Sequence, residues 1–157
     1  GVMAALVADA GLGDAIVVDS AGTAGWHRGE APDLRARDEA RRRGVELTSK
    51  ASSFAPGDTA AYDLVLAMDR SNLVDLLDRT PEPELRARIR LLREFDPARR
   101  ADDRWDGEVP DPWSGGEEGF AIVYDLIEAA CRGLLDHLRE QLGEPAQPPQ
   151  PPPRASS

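Results

Sequence analysis

The run Asp63-Leu-Val-Leu-Ala-Met68 is apolar between polar ends, and helical patterns stand on both sides of it. A short apolar run rich in branched residues predicts a buried strand. A strand set between helices must reach its neighbour by a crossover, which predicts a parallel sheet. Ala15–Asp19 (Ala-Ile-Val-Val-Asp) is predicted as another buried strand and Ile89–Leu92 as a third. Helices are predicted over residues 1–10, stopped by Gly11, and over residues 33–43, with Asp33 as N-cap and Gly44 as the stop. Asp38 and Arg42 have i,i+4 spacing suited to an ion pair. Asp69-Arg-Ser-Asn72 can cap a further helix carrying Leu73, Leu76 and Leu77 on one side.

The longest helix is predicted over Glu117–Leu142. Phe120, Val123, Tyr124, Ile127, Cys131, Leu134 and Leu138 recur there at three- and four-residue steps. The expected architecture is α/β: three layers around a small central parallel sheet. The chain opens directly on a helical pattern, so the expected first strand, central to such a sheet, falls upstream of Gly1. In such folds a phosphate site commonly lies where a first strand turns into the first helix. The expectation is therefore one domain over residues 1–142, incomplete at its N-terminus, and a Pro-rich disordered tail over 143–157.

Asp96–Gly116 reads as a long loop, and long loops in compact domains are usually functional or disordered. Within it lies Val109-Pro110-Asp111-Pro112-Trp113. Each proline fixes its own φ and pushes the residue before it toward extended geometry. The Asp111 carboxylate is thereby aimed in one direction, as a proton donor must be before reaction. An Asp-Pro surface turn is the plainer alternative.

Net charge is −10, from 29 acidic against 19 basic residues. The arginine clusters at 41–43 and at 86, 88 and 90 have acids interleaved, so they read as solvated helix faces and not as a nucleic-acid footprint. No stretch approaches a membrane span and no signal-like segment is present, so the cytoplasm is the expected location. The single cysteine, Cys131, excludes a disulfide framework or a zinc cluster within the chain.

Taken together, the motifs resemble the low-molecular-weight protein tyrosine phosphatase family. The likeness runs through Val18-Asp-Ser-Ala-Gly-Thr23 with Gly25-Trp-His27, then Ala31-Pro-Asp33 and Arg43-Gly-Val45. It continues through Tyr62–Asp69 with Ser71-Asn72, Phe95-Asp-Pro97, Pro110-Asp-Pro-Trp113, Gly119-Phe120 and Val123-Tyr124. Two departures stand out. The family's Cys-x5-Arg phosphate loop is missing, since the residue six after Cys131 is His137. Ser114 stands where the family usually has a second tyrosine.

The resemblance implies hydrolysis of a phosphotyrosine protein or aryl phosphate through a cysteinyl-phosphate intermediate, without metal or cofactor. It implies Asp111 as general acid, then base. Trp26 and Trp113 would form the walls of a slot for the phenol ring, Ser20 would support the phosphate loop, and Asp96 would pair with the loop's arginine or start the Asp-Pro turn. His27 is not expected to be catalytic, Asp69 reads as a helix cap, and Cys131 as a core residue. Without the nucleophile, the chain as written is expected to be inactive.

Other readings remain open at this level. Arsenate reductases of this architecture need further redox cysteines. A protein-arginine phosphatase is distinguished largely within the missing loop. A non-catalytic protein could bind phosphorylated partners, or take a proline-recognition partner on its tail.

Overall fold

The computed structural model describes residues 1–23, 29–50, 52–112 and 116–143. Helix α1 spans Val2–Asp9 and α2 spans Leu34–Arg42. Strand β1 is Val65–Ala67, followed by α3, Arg70–Asp78, and a short α4, Pro83–Arg86. Strand β2 is Ile89–Leu91, and α5 runs from Gly116 to Gln141. Two 3₁₀ turns, Asp58–Ala61 and Leu92–Phe95, and helix α4 were not anticipated from periodicity. Each is about one turn long, too short for a repeating apolar pattern.

β1 and β2 pair in parallel with Val65 opposite Ile89 and Ala67 opposite Leu91. The α3–α4 crossover makes that parallel pairing possible. Alternation along the strands divides the core into two faces. Val65, Ala67, Ile89 and Leu91 pack with Leu76, Leu73 and Leu77 of α3. Leu64 and Leu66 turn the other way, toward Ala130, Cys131 and Leu134 of α5 and toward Val2, Met3 and Leu6 of α1. Helix, sheet, helix is thus the layering, as the sequence predicts.

Helix boundaries agree with the sequence reading to within about two residues, the usual disagreement at frayed ends. Asp33 caps α2 by accepting from the Arg35 amide at 2.8 Å. Asp69 caps α3 by accepting from the Asn72 amide at 2.7 Å. The predicted Asp38–Arg42 pair is not formed. Arg41 reaches Asp38 at 3.1 Å and Arg42 turns to Glu39 at 3.3 Å, because i,i+3 neighbours lie as close as i,i+4 on a helix.

The predicted strand Ala15–Asp19 is the main correction. Ala15 and Ile16 turn back to the Leu12 carbonyl, the segment makes no ladder, Val17 is 89% exposed, and Val18 and Asp19 are exposed too. Branched residues favour a strand only when another strand takes their backbone hydrogen bonds, and none among the described residues lies beside this one. Pairing begins only at Gly22, which exchanges hydrogen bonds with Ser52 and Phe54.

The helical layer is closed by α2 against α5. Arg35 stacks its guanidinium 4.5 Å from the Phe120 ring centre. Arg43 lies 4.7 Å from that of Tyr124 while bonding Glu39 and Asp125. These contacts use arginine as a flat cation on an aromatic face.

Candidate active site at the carboxyl end of β1

Three segments converge where β1 ends and α3 begins. Val109 donates its amide to the Met68 carbonyl at 2.8 Å, fixing the acid loop to the residue after the strand. Arg70, first residue of α3, reaches Glu108 at 3.1 Å and Asp106 at 2.7 Å. Asn72, in the same turn, donates to the Thr23 hydroxyl at 3.4 Å, and Arg79 donates to the Thr23 carbonyl at 3.2 Å. Thr23 leads into the Trp26 loop, so both segments expected to carry the site are tied to α3, Thr23 through its first turn and its C-cap alike.

The long loop is folded by successive turns between Asp96 and Glu108. Arg99, Asp103, Asp106 and Glu108 each donate an amide to the carbonyl three residues earlier. Asp106 has φ 49° and Gly107 φ 78°, a left-handed pair that reverses the chain. A side chain at Gly107 would also meet the Arg99 guanidinium at 2.6 Å.

Asp111 is exposed, and Pro112 directly after it restricts its backbone. Asp96 is 8% exposed and starts the Asp-Pro turn, one of the two roles expected of it. One oxygen accepts from the Ala98 amide at 2.9 Å, starting the Asp-Pro turn. The other accepts from an arginine at 3.2 Å, but that arginine is Arg93 of this chain. Ser20 is exposed. Its carbonyl accepts from the Ser52 hydroxyl at 2.8 Å, and its amide turns to Asp19. It lines an open groove of about 260 Å³ with Gly1, Ala4, Ala5, Val18 and Asp19. Trp26, His27 and Trp113 lie outside the described residues.

Cys131 is a core residue, as predicted. It is 3% exposed within the α5 interface, and burial pushes its thiol up to about 11. A reactive cysteine needs an exposed, electropositive setting that favours the thiolate, and this one has the opposite. Among the described residues there is no cluster of metal-ligating side chains, and no helix is long and apolar enough to cross a membrane.

Sequence reasoning missed Arg93, Asp103 and Arg70. Arg93 left a faint signal, a lone cation between Leu91-Leu92 and Phe95. A charge inside an apolar run usually has a partner waiting for it.

A sheet covered on both faces, with loops gathered at the carboxyl end of its strand, defines an α/β domain of the kind that binds ligands at that edge. The chain belongs to the low molecular weight phosphotyrosine protein phosphatase family, whose model matches residues 1–144. It is 41% identical over 141 residues to a low molecular weight protein-tyrosine-phosphatase of Streptomyces coelicolor, covering 90% of this chain and 84% of that one. The protein tyrosine phosphatase of Entamoeba histolytica superposes with a TM-score of 0.80 and 33% identity, over 90% of this chain and 86% of that one. A Drosophila arginine phosphatase superposes at 0.76 with 26% identity, over 88% and 86% of the two chains.

Proposed function

We propose that this chain supplies the scaffold, the general acid and the ring slot of a protein tyrosine phosphatase acting on phosphotyrosine proteins and small aryl phosphates in the cytoplasm. The observation that carries this reading is the convergence of the Asp111 loop and the Thr23 segment on the first turn of α3. A tyrosyl oxygen has a parent pKa of about 10 and leaves poorly unless protonated. Asp111 gives it that proton as the phosphorus–oxygen bond breaks. It then takes a proton from the water that hydrolyses the phosphoenzyme. Trp26 and Trp113 flank the phenol ring, where rigid flat faces suit a planar group.

The attacking thiolate comes from a Cys-x5-Arg loop that these 157 residues do not contain. Cys131 cannot replace it, being buried and held protonated. Ser20, beside the groove at Gly1, supports that loop where it is present. Asp96 already holds Arg93 and keeps its capacity to accept from a second arginine. The Pro-rich segment 143–157 takes no part in this chemistry; a proline-recognition partner there is a separate matter for binding assays.

The test uses the protein with a Cys-x5-Arg phosphate loop present. Asp111→Asn is expected to slow phenyl phosphate hydrolysis by roughly 10² to 10⁴. It should spare kcat/KM for a dinitrophenyl ester, which reports only the step through leaving-group departure, where that group needs no proton. An unchanged rate on phenyl phosphate would remove Asp111 from this role. A native intact mass equal to the 17.0 kDa of this chain would remove the enzyme reading altogether. Faster turnover of phosphoarginine than of phosphotyrosine would move the protein to the arginine branch.

A further inference from the structure

Arg93 is a buried cation whose side chain is 3% exposed. Its hydrogen bonds go to the loop that carries Asp111. Nη1 donates to Asp103 Oδ2 at 2.8 Å and to the Glu108 carbonyl at 3.0 Å. Nη2 donates to Asp96 Oδ2 at 3.2 Å and to Asp103 Oδ1 at 3.3 Å. One guanidinium thus grips the loop at its first residue, at its middle and three residues before Asp111. Asp103 extends the grip by accepting from the Gly107 amide at 2.7 Å. Nε has no hydrogen-bond partner among the described residues.

A buried ion cluster of this kind is a poor source of net stability, because desolvation offsets most of the attraction. What it does supply is geometry, since a planar fork accepts partners in few directions. Between Glu108 and Asp111 stand only Val109 and Pro110. Val109 is held by Met68, and the ring of Pro110 fixes its φ. A displacement at the Glu108 carbonyl therefore passes to Asp111 instead of being absorbed on the way.

We propose that Arg93 is a positioning residue for Asp111, acting through Asp103 and the Glu108 carbonyl to hold the proton donor at the carboxyl end of β1. The proposal rests on the reading of Asp111 as general acid. It also gives Asp103 a task, that of the second anchor on which the loop turns.

Two variants test it, Arg93→Gln and the milder Asp103→Asn, which keeps the buried cation paired with Asp96. In this 157-residue chain, amide exchange at Gly107 and Val109 should quicken by about tenfold or more, as expected for local opening. The Val65 amide, bonded to Arg88 within the sheet at 2.9 Å, should keep its protection. Read as kcat/KM in the enzyme with a Cys-x5-Arg loop present, both variants should slow phenyl phosphate and spare the dinitrophenyl ester, as Asp111→Asn does. Combined with Asp111→Asn, neither should add a further loss. If Asp111→Asn shows that leaving-group pattern while the other variants slow both esters alike, or neither, the positioning role is overturned and the acid stands. If Asp111→Asn leaves both esters unaffected, the acid assignment falls, and this inference with it. Unchanged exchange at Val109, or loss of protection at Val65 in both variants, would also overturn it.

Discussion

The amide of Val109 and the carbonyl of Met68 are 2.8 Å apart, and through that bond a loop remote in sequence is fastened to the end of a strand. The Val109 side chain is 7% exposed and packs with Leu92, Ala130, Cys131 and Leu134. Val109→Ala should therefore cost about 1–3 kcal/mol, the range of a typical core truncation. Urea unfolding checks this, and a variant within error of wild type would show that the side chain is not part of the anchor.

Helix α5 meets the turn after β2 at a glycine. A Cβ on Gly133 would come 1.9 Å from the Phe95 carbonyl oxygen, a backbone atom with little freedom to retreat. Gly133→Ala, although better for an isolated helix, is expected to destabilise by about 1–3 kcal/mol through overpacking. A raised melting temperature would mean that α5 lies farther from Phe95 in solution.

The Cys131 thiol should resist modification in the folded chain. Burial holds it near 11, so little thiolate exists at neutral pH, and the helix interface blocks access. Ellman's reagent should titrate it at a measurable rate only after denaturant is added. Immediate reaction in native buffer would contradict the buried placement.

Acid should weaken the loop through Asp103. Hydrogen bonds from the Gly107 amide and from Arg93 hold its carboxyl below the ordinary value of 3.8. A depressed folded value means stability that is present above the unfolded value and lost as pH falls through the folded one. The gap in urea midpoint between wild type and Asp103→Asn should be full near about pH 6 and shrink below about pH 4. Asp33 is also depressed but is common to both proteins, so it cancels. A gap that widens toward acid would refute the assignment.

The failure at Ala15–Asp19 is informative beside the success at Val65–Ala67. Both are short branched runs, and nothing local separates them. Val65–Ala67 has β2 at its side and helices over both faces; Ala15–Asp19 has no ladder partner among the described residues. A strand's sequence states what it can pair with, while burial depends on what stands beside it. Asp96 gives the same lesson on a smaller scale. Its turn with Ala98 follows from Asp-Pro chemistry, but its burial together with Arg93 and Asp103 came from the fold.

The sequence alone determined the periodic elements, the two caps at Asp33 and Asp69, the core placement of Cys131 and the rigid setting of Asp111. Each of these depends on residues within a few positions of one another, so the information is local. Tertiary structure decided which runs are buried and which arginine meets which acid. It also decided that the loop before Asp111 is a folded object built on Arg93. Those outcomes join residues far apart in the chain, 82 positions in the case of Arg43 and Asp125, and depend on how far desolvation and packing favour one partner over another.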